Sequence, residues 1–293
     1  MTLGIDIRGV GVHYGRTAAV DNVSFRLEGG KIYGLLGRNG SGKTSLLSTL
    51  ASFRQPSTGE VLIGGKVAFE NAEIMSQVCF IQENGHMTDG YKVKDAIKLA
   101  ASCWPNWDEQ YANHLLDLYQ LPLKKSISSL SRGMKSALGV TLGLASRAPV
   151  TIFDEAYLGM DAPTRYAFYD EVLRDYMEHP RTFILSTHLI EEVGNLFEEV
   201  LILDNGRLLL HEESESLRQR GVSITGPAER VDEYVVGLQV LGEQTLGRTK
   251  SVTVYGELNQ ERVNRARTDG LELGPVPLQD LFVHMTKKGG GGV

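Results

Sequence analysis

The chain has 293 residues, 42% of them hydrophobic and 23% charged, with a formal net charge of −6. That is ample apolar material for a packed core and excludes a disordered or collagen-like chain; the acidic balance lacks the basic footprint of a duplex DNA binder, and no nucleic-acid partner is expected. Cys79 and Cys103 form no CxxC pair, so neither a disulfide framework nor a zinc ribbon is expected.

The N-terminus has no basic stretch followed by an apolar one, so no secretory signal is read there. Residues 5–30 alternate short apolar runs with Gly- and Asn-containing turns, the pattern of antiparallel strands. Lys31–Leu36 is a short apolar run that leads into a Gly-rich turn. Leu46, Leu47, Leu50 and Phe53 then form a helical stripe. Strand-like segments return at 60–69 and 77–82, and 88–147 reads mainly as helices. Val150–Phe153 and Thr182–Ser186 resemble strands of a parallel sheet buried on both faces, each followed by helical sequence. Such alternation predicts an α/β core. The longest apolar stretch, Ala137–Ala145, falls far short of the ~20 residues a bilayer span requires. After Asn205-Gly206 the texture changes to short strand-like runs, Val222–Thr225 and Ser251–Tyr255, between Gly, Pro and charged turns. The sequence therefore predicts a main domain over 1–210 and a small α+β accessory domain over 211–293, ending in a flexible Gly289–Gly292 tail.

One motif is unmistakable. Gly37-Arg38-Asn39-Gly40-Ser41-Gly42-Lys43-Thr44 matches G-x-x-x-x-G-K-[ST], the P-loop. Glycines let the backbone wrap so that N–H groups face phosphate oxygens, and the helix that begins near Lys43 adds its positive end. In this motif the lysine reaches the β- and γ-phosphates and the Thr44 hydroxyl is offered to Mg²⁺; Ser45 follows in the same turn. Asp154-Glu155 closes a buried strand run, where open α/β sheets bind ligands. Beside a P-loop, Asp154 is placed to hold Mg²⁺ and Glu155 to orient or activate an attacking water. Ser131 is placed to cap a helix running from about Gly133 to Ser146, and Trp104 and Trp107 to anchor a helix with Asp108 in its first turn. The histidines other than His188 show no paired ligand spacing and read as surface or core residues.

With these motifs in order, the chain resembles the nucleotide-binding subunits of ABC transporters over about residues 3–215. Leu130-Ser-Arg-Gly-Met134 is similar to the family's signature, usually Leu-Ser-Gly-Gly-Gln: Ser131 and Gly133 match, Arg132 and Met134 depart. The resemblance implies a P-loop NTPase core with a β-subdomain and a helical subdomain over about 84–149. It implies that Tyr14 stacks on adenine and that His188 contacts the γ-phosphate. Ser131, Gly133 and Asp161 of a second subunit would close over the ATP, so that two subunits, identical or not, sandwich two nucleotides. Val78–Glu83 resembles the segment that ends in a glutamine near Mg²⁺; here Glu83 takes that position as a metal-side group, or Gln82 does after a one-residue slip. The resemblance further implies ATP and Mg²⁺ as cofactors, hydrolysis coupled to a separate transmembrane subunit, and a place at the cytoplasmic face of the membrane. Trp104–Asp108 and the Ser-x-Gly-Met signature resemble an exporter-type bacterial subgroup associated with antibiotic or envelope stress. The alternative is a soluble ATPase of the same type with a regulatory or mechanical role. A GTPase would carry Asn-Lys-x-Asp, which is missing. Chromosome-maintenance ATPases need long coiled coils, and roughly 90 residues between Thr44 and Ser131 leave no room for them. A module without hydrolysis would have lost Glu155 or His188.

Overall fold

The computed structural model describes residues 2–83 and 90–287. The Gly289–Gly292 tail and residues 84–89, the start of the expected helical subdomain, lie outside them. The chain forms two compact units, Met1–His188 with Asn195–His211, and Leu189–Gly194 with Glu212–Val293.

The first unit opens with β1 (Ile5–Tyr14) and β2 (Thr17–Leu27), an antiparallel pair. β3 (Ile32–Leu36) leads through the Gly-rich turn into α1 (Lys43–Leu50). β4 (Thr58–Ile63) and β5 (Lys66–Val67) complete a four-stranded sheet in the order β2-β1-β4-β5. α2 (Ala72–Met75) and β6 (Val78–Gln82) follow. A helical layer comes next: α3 (Val93–Cys103), α4 (Glu109–Leu118) and α5 (Arg132–Ala145). Asp108 is the N-cap of α4, one position before the first turn, and its side chain accepts from the Tyr111 N–H. α5 is buried without a break from Ser136 to Ala145. It lies against β6 and β7 because Gly139 and Gly143 leave no side chain to collide with Ile81 and Phe153.

β7 (Val150–Asp154), α6 (Ala162–Glu178) and β8 (Thr182–Thr187) alternate as expected. β9 (Glu199–Asp204) then turns through Asn205 and Gly206, both at positive φ as a tight hairpin turn requires, into β10 (Arg207–Glu213). The second sheet runs β10-β9-β3-β8-β7-β6. Its central strands are parallel, and every residue of β3, β7 and β8 is buried, so continuous apolar runs are what the environment demands. Register pairs Leu36 with Thr187, Asp154 with Ser186 and Gln82 with Asp154. The carboxyl ends of β3, β8, β7 and β6 thus form one level edge.

The second unit contains α7 (Ile190–Val193), α8 (Ser214–Arg220) and a β-α-β-β-α-β run: β11 (Gly221–Pro227), α9 (Ala228–Tyr234), β12 (Val240–Leu246), β13 (Thr249–Tyr255), α10 (Gln260–Thr268) and β14 (Glu272–Pro275). The antiparallel sheet order β12-β13-β11-β14 is that of a ferredoxin-like fold. Ile224, Val252 and Val254 face Val231, Tyr234 and Ala266 in its core. α11 (Leu278–Lys287) packs across Gly221 and Gly242 through Leu281 and His284.

Candidate functional site

The Gly-rich turn leaves the end of β3. Gly40 and Gly42 have φ of +81° and +104°, and a Cβ on Gly42 would come within 2.3 Å of the Ala19 carbonyl, so only glycine fits there. Gly42 is also the N-cap of α1, whose free N–H end therefore opens onto the turn. The Lys43 ammonium is only 5% exposed. It donates to the Gly37 and Arg38 carbonyls at 2.7 and 3.3 Å and lies 3.4 Å from the Glu155 carboxylate.

Asp154 ends β7 and is 4% exposed. Ser186, its register neighbour on β8, donates its hydroxyl to the carboxylate, and the Thr44 hydroxyl bonds it too. Burial nevertheless pushes the Asp154 carboxyl above its ordinary value, against the lowering effect of these bonds and of Lys43. Glu155 follows at a φ of +52°, a left-handed backbone in a residue that is not glycine, which turns its side chain out of the strand. One Glu155 oxygen stands between Lys43 and the His188 ring nitrogen, the latter at 3.3 Å. Lys43, Asp154, Glu155 and His188, expected from the sequence to work together, are thus linked in one cluster on the level sheet edge.

Tyr14, at the end of β1, is 48% exposed, and its hydroxyl lies 3.4 Å from the Ser45 hydroxyl in α1. The Arg54 guanidinium covers one face of its ring, 3.9 Å from the centroid. Ser131 caps α5 by accepting from the Met134 N–H, as the sequence predicts, and Asp161 caps α6 in the same way through Thr164. The bonds from Thr164 hold the fully exposed Asp161 carboxyl below its ordinary value. Gly133 packs on the Gly159 carbonyl, which brings the signature turn against the turn that follows the two carboxylates. Gln82 is the last residue of β6, and the Glu83 N–H donates to the Asp154 carbonyl at 3.2 Å.

Sequence reasoning missed Ser186, although a hydroxyl two residues before His188 at a strand end was a usable signal. It also missed Arg54 on Tyr14 and an ion pair between Arg132 and Glu83. Both join residues far apart in the chain, and no local pattern announces them.

A family model described as ABC transporter matches residues 20–158. The chain carries the ATP-binding domain of the ABC transporter family. Its similarity extends to the ABC transporter ATP-binding protein YtrB of Bacillus subtilis (strain 168), 27% identical over 69% of this chain and 70% of the relative. The uncharacterized ABC transporter ATP-binding protein YcbN of the same strain is 28% identical over 91% of this chain and 89% of its own. A Nod factor export ATP-binding protein I of Mesorhizobium japonicum is 26% identical over 97% and 87%. Among solved structures, the ATP binding subunit of an ABC transporter superposes with a TM-score of 0.66 at 22% identity, covering 73% of this chain and 91% of that one, which establishes the shared fold. The match to YcbN takes in both units, whereas the family model stops within the first.

Proposed function

We propose that this chain is the ATP-hydrolysing subunit of an exporter-type ABC transporter, and that it hydrolyses ATP on the sheet edge around Lys43. The observation that carries this reading is the Lys43–Glu155–His188 cluster beside buried Asp154, next to a turn whose Gly42 position admits only glycine. Lys43 and the N–H end of α1 would meet phosphate charge at this edge, and fixed positive groups aimed at developing charge are where electrostatic catalysis is most effective. Glu155 is positioned to accept a proton from, or orient, an attacking water, and His188 holds that carboxylate in place. Tyr14 offers an aromatic face to the base.

The Thr44 hydroxyl and the Asp154 carboxylate are hard oxygen donors already bonded to each other, and the buried, charge-disfavoured carboxylate is suited to a dication. These residues would hold Mg²⁺, which supplies positive charge to the β- and γ-phosphates. Ser131, Gly133 and Asp161 of a second subunit would complete the site, so that ATP binding closes a dimer and hydrolysis opens it. Among the described residues no helix is long and apolar enough to cross a membrane. Transport then calls for a separate transmembrane subunit at the cytoplasmic face of the membrane. A groove of about 530 Å³ with Phe53, Phe80, Leu99 and Trp104 in its lining is a suitable seat for it. Export as the direction follows the Nod factor relative by analogy.

The test is ATP turnover of the purified chain against Lys43→Ala. Loss of the ammonium lowers turnover on the order of 10²–10³-fold, the usual loss when one preorganised charge is removed. Turnover unaffected by Lys43→Ala overturns the reading.

A further inference from the structure

The Glu83–Arg132 ion pair lies outside the cluster described above, yet its position ties it to that cluster. Glu83 is the first residue after β6, and its N–H is bonded to the carbonyl of Asp154 on the neighbouring strand. Three carboxylates, Glu83, Asp154 and Glu155, therefore leave two adjacent strand ends together. Their backbones are neighbours, so a Glu83 side chain left unpaired would be free to bring a third like charge toward the other two, which like charges disfavour unless a cation holds one of them. Lys43 and His188 serve Glu155, and Ser186 and Thr44 serve Asp154. The cation at Glu83 is Arg132, which reaches across from the first turn of α5.

The base of that arm is fixed. Ser131 caps the helix, and a Cβ on Gly159 would come within 2.9 Å of the Arg132 carbonyl and 2.5 Å of the Ser136 hydroxyl. The backbone at Arg132 is thus wedged against the turn that follows Glu155, while its guanidinium holds the residue that follows β6. Arg132 is 71% exposed and Glu83 22%, and an ion pair so open to water contributes little to fold stability. What it fixes is the place of one negative charge beside the hydrolytic carboxylates.

We propose that Arg132 is a positioning residue for ATP hydrolysis. It neutralises the Glu83 carboxylate and holds it clear of Asp154 and Glu155, so that the anion neither repels the phosphates nor competes for the groups that bind them. Arg132 and Glu83 act as one unit, and each is needed only because of the other. This rests on the assignment of hydrolysis to the Lys43 cluster.

Five proteins test it: the parent chain, Arg132→Ala, Arg132→Lys, Glu83→Gln, and Arg132→Ala combined with Glu83→Gln. Steady-state ATP hydrolysis is resolved into kcat and KM, and binding of a fluorescent ATP analogue is measured in EDTA as a second readout. Arg132→Ala is expected to lower kcat at least fivefold when residue 83 is Glu and less than twofold when it is Gln, with Arg132→Lys retaining most of the parent turnover. Binding of the analogue should weaken in Arg132→Ala and recover in the double variant, because the freed anion repels phosphate without metal present. An equal loss in both backgrounds would mean that Arg132 acts without Glu83 and overturns the proposal, as does an Arg132→Ala variant with parent kinetics. Should Arg132→Ala fail to fold by circular dichroism, Arg132→Gln replaces it under the same criteria. A parent chain whose turnover survives Lys43→Ala instead removes the underlying assignment, an outcome visible before any residue-132 variant is compared.

Discussion

The six-stranded sheet and the ferredoxin-like sheet of this chain handle their strand ends in opposite ways. In the six-stranded sheet β3, β8, β7 and the edge strand β6 run parallel, so they deliver their carboxyl ends to one edge, and Lys43, Asp154, Glu155 and His188 meet there. In the ferredoxin-like sheet neighbouring strands are antiparallel, and successive ends point in opposite directions. Residues from separate strands are not collected at one edge, and polar groups such as Thr225 and Ser251 pair with each other across the sheet face instead. Parallel topology concentrates chemistry; antiparallel topology spreads it over a surface.

Buried charge sharpens the contrast. In the first unit Asp175 of α6 is 1% exposed and ion-pairs with both Arg147 and Arg181, while Arg147 also holds Asp108 at the start of α4. Asp175→Ala leaves two guanidinium groups near the core without their shared anion. It should cost about 3–5 kcal/mol in chemical denaturation, the usual penalty for breaking a buried ion pair from one side. A loss below about 1 kcal/mol would show that water reaches the network. The second unit depends on apolar packing instead. Ile224→Ala should cost about 2–5 kcal/mol in the stability of that unit, while ATP turnover below its unfolding temperature stays within twofold of the parent. A large turnover loss in a folded Ile224→Ala protein would mean that the second sheet contributes to hydrolysis after all.

The smallest expected effect has the opposite sign. Burial raises the Asp154 carboxyl above its ordinary 3.8, so the ionised form is disfavoured in the fold. Stability from this group is present below 3.8 and is lost as pH rises through the raised value. Asp154→Asn should therefore stabilise the nucleotide-free protein near neutral pH, with the gain shrinking toward pH 4. Thermal melting without nucleotide or metal measures it, and a lower melting temperature at neutral pH contradicts the assigned strain.

The legibility of the sequence follows the same division. The P-loop, the strand before it and the helix after it could be read because glycine spacing and apolar runs are local signals. Ser131 could be read as a helix cap for the same reason. The level sheet edge follows from parallel alternation, which let Asp154 and His188 be placed at strand ends before any geometry was known. Arg54 over Tyr14 and Arg132 on Glu83 could not be found this way, because long side chains reach across distances that no spacing rule encodes. In the second unit two strands were visible as Val222–Thr225 and Ser251–Tyr255, but not their β-α-β-β-α-β order. α9, with seven residues, and α10, with nine, are short, and α10 is strongly polar, so the helical period is weak.

The central claim is that Glu155 performs the hydrolytic step on ATP held at the Lys43 turn. Glu155→Gln keeps the shape of the side chain and removes its charge. Single-turnover hydrolysis by this variant is predicted to fall on the order of 10²–10⁴-fold, while binding of Mg-ATP persists and the nucleotide stays trapped in a dimer. Hydrolysis by Glu155→Gln at the parent rate would contradict the account.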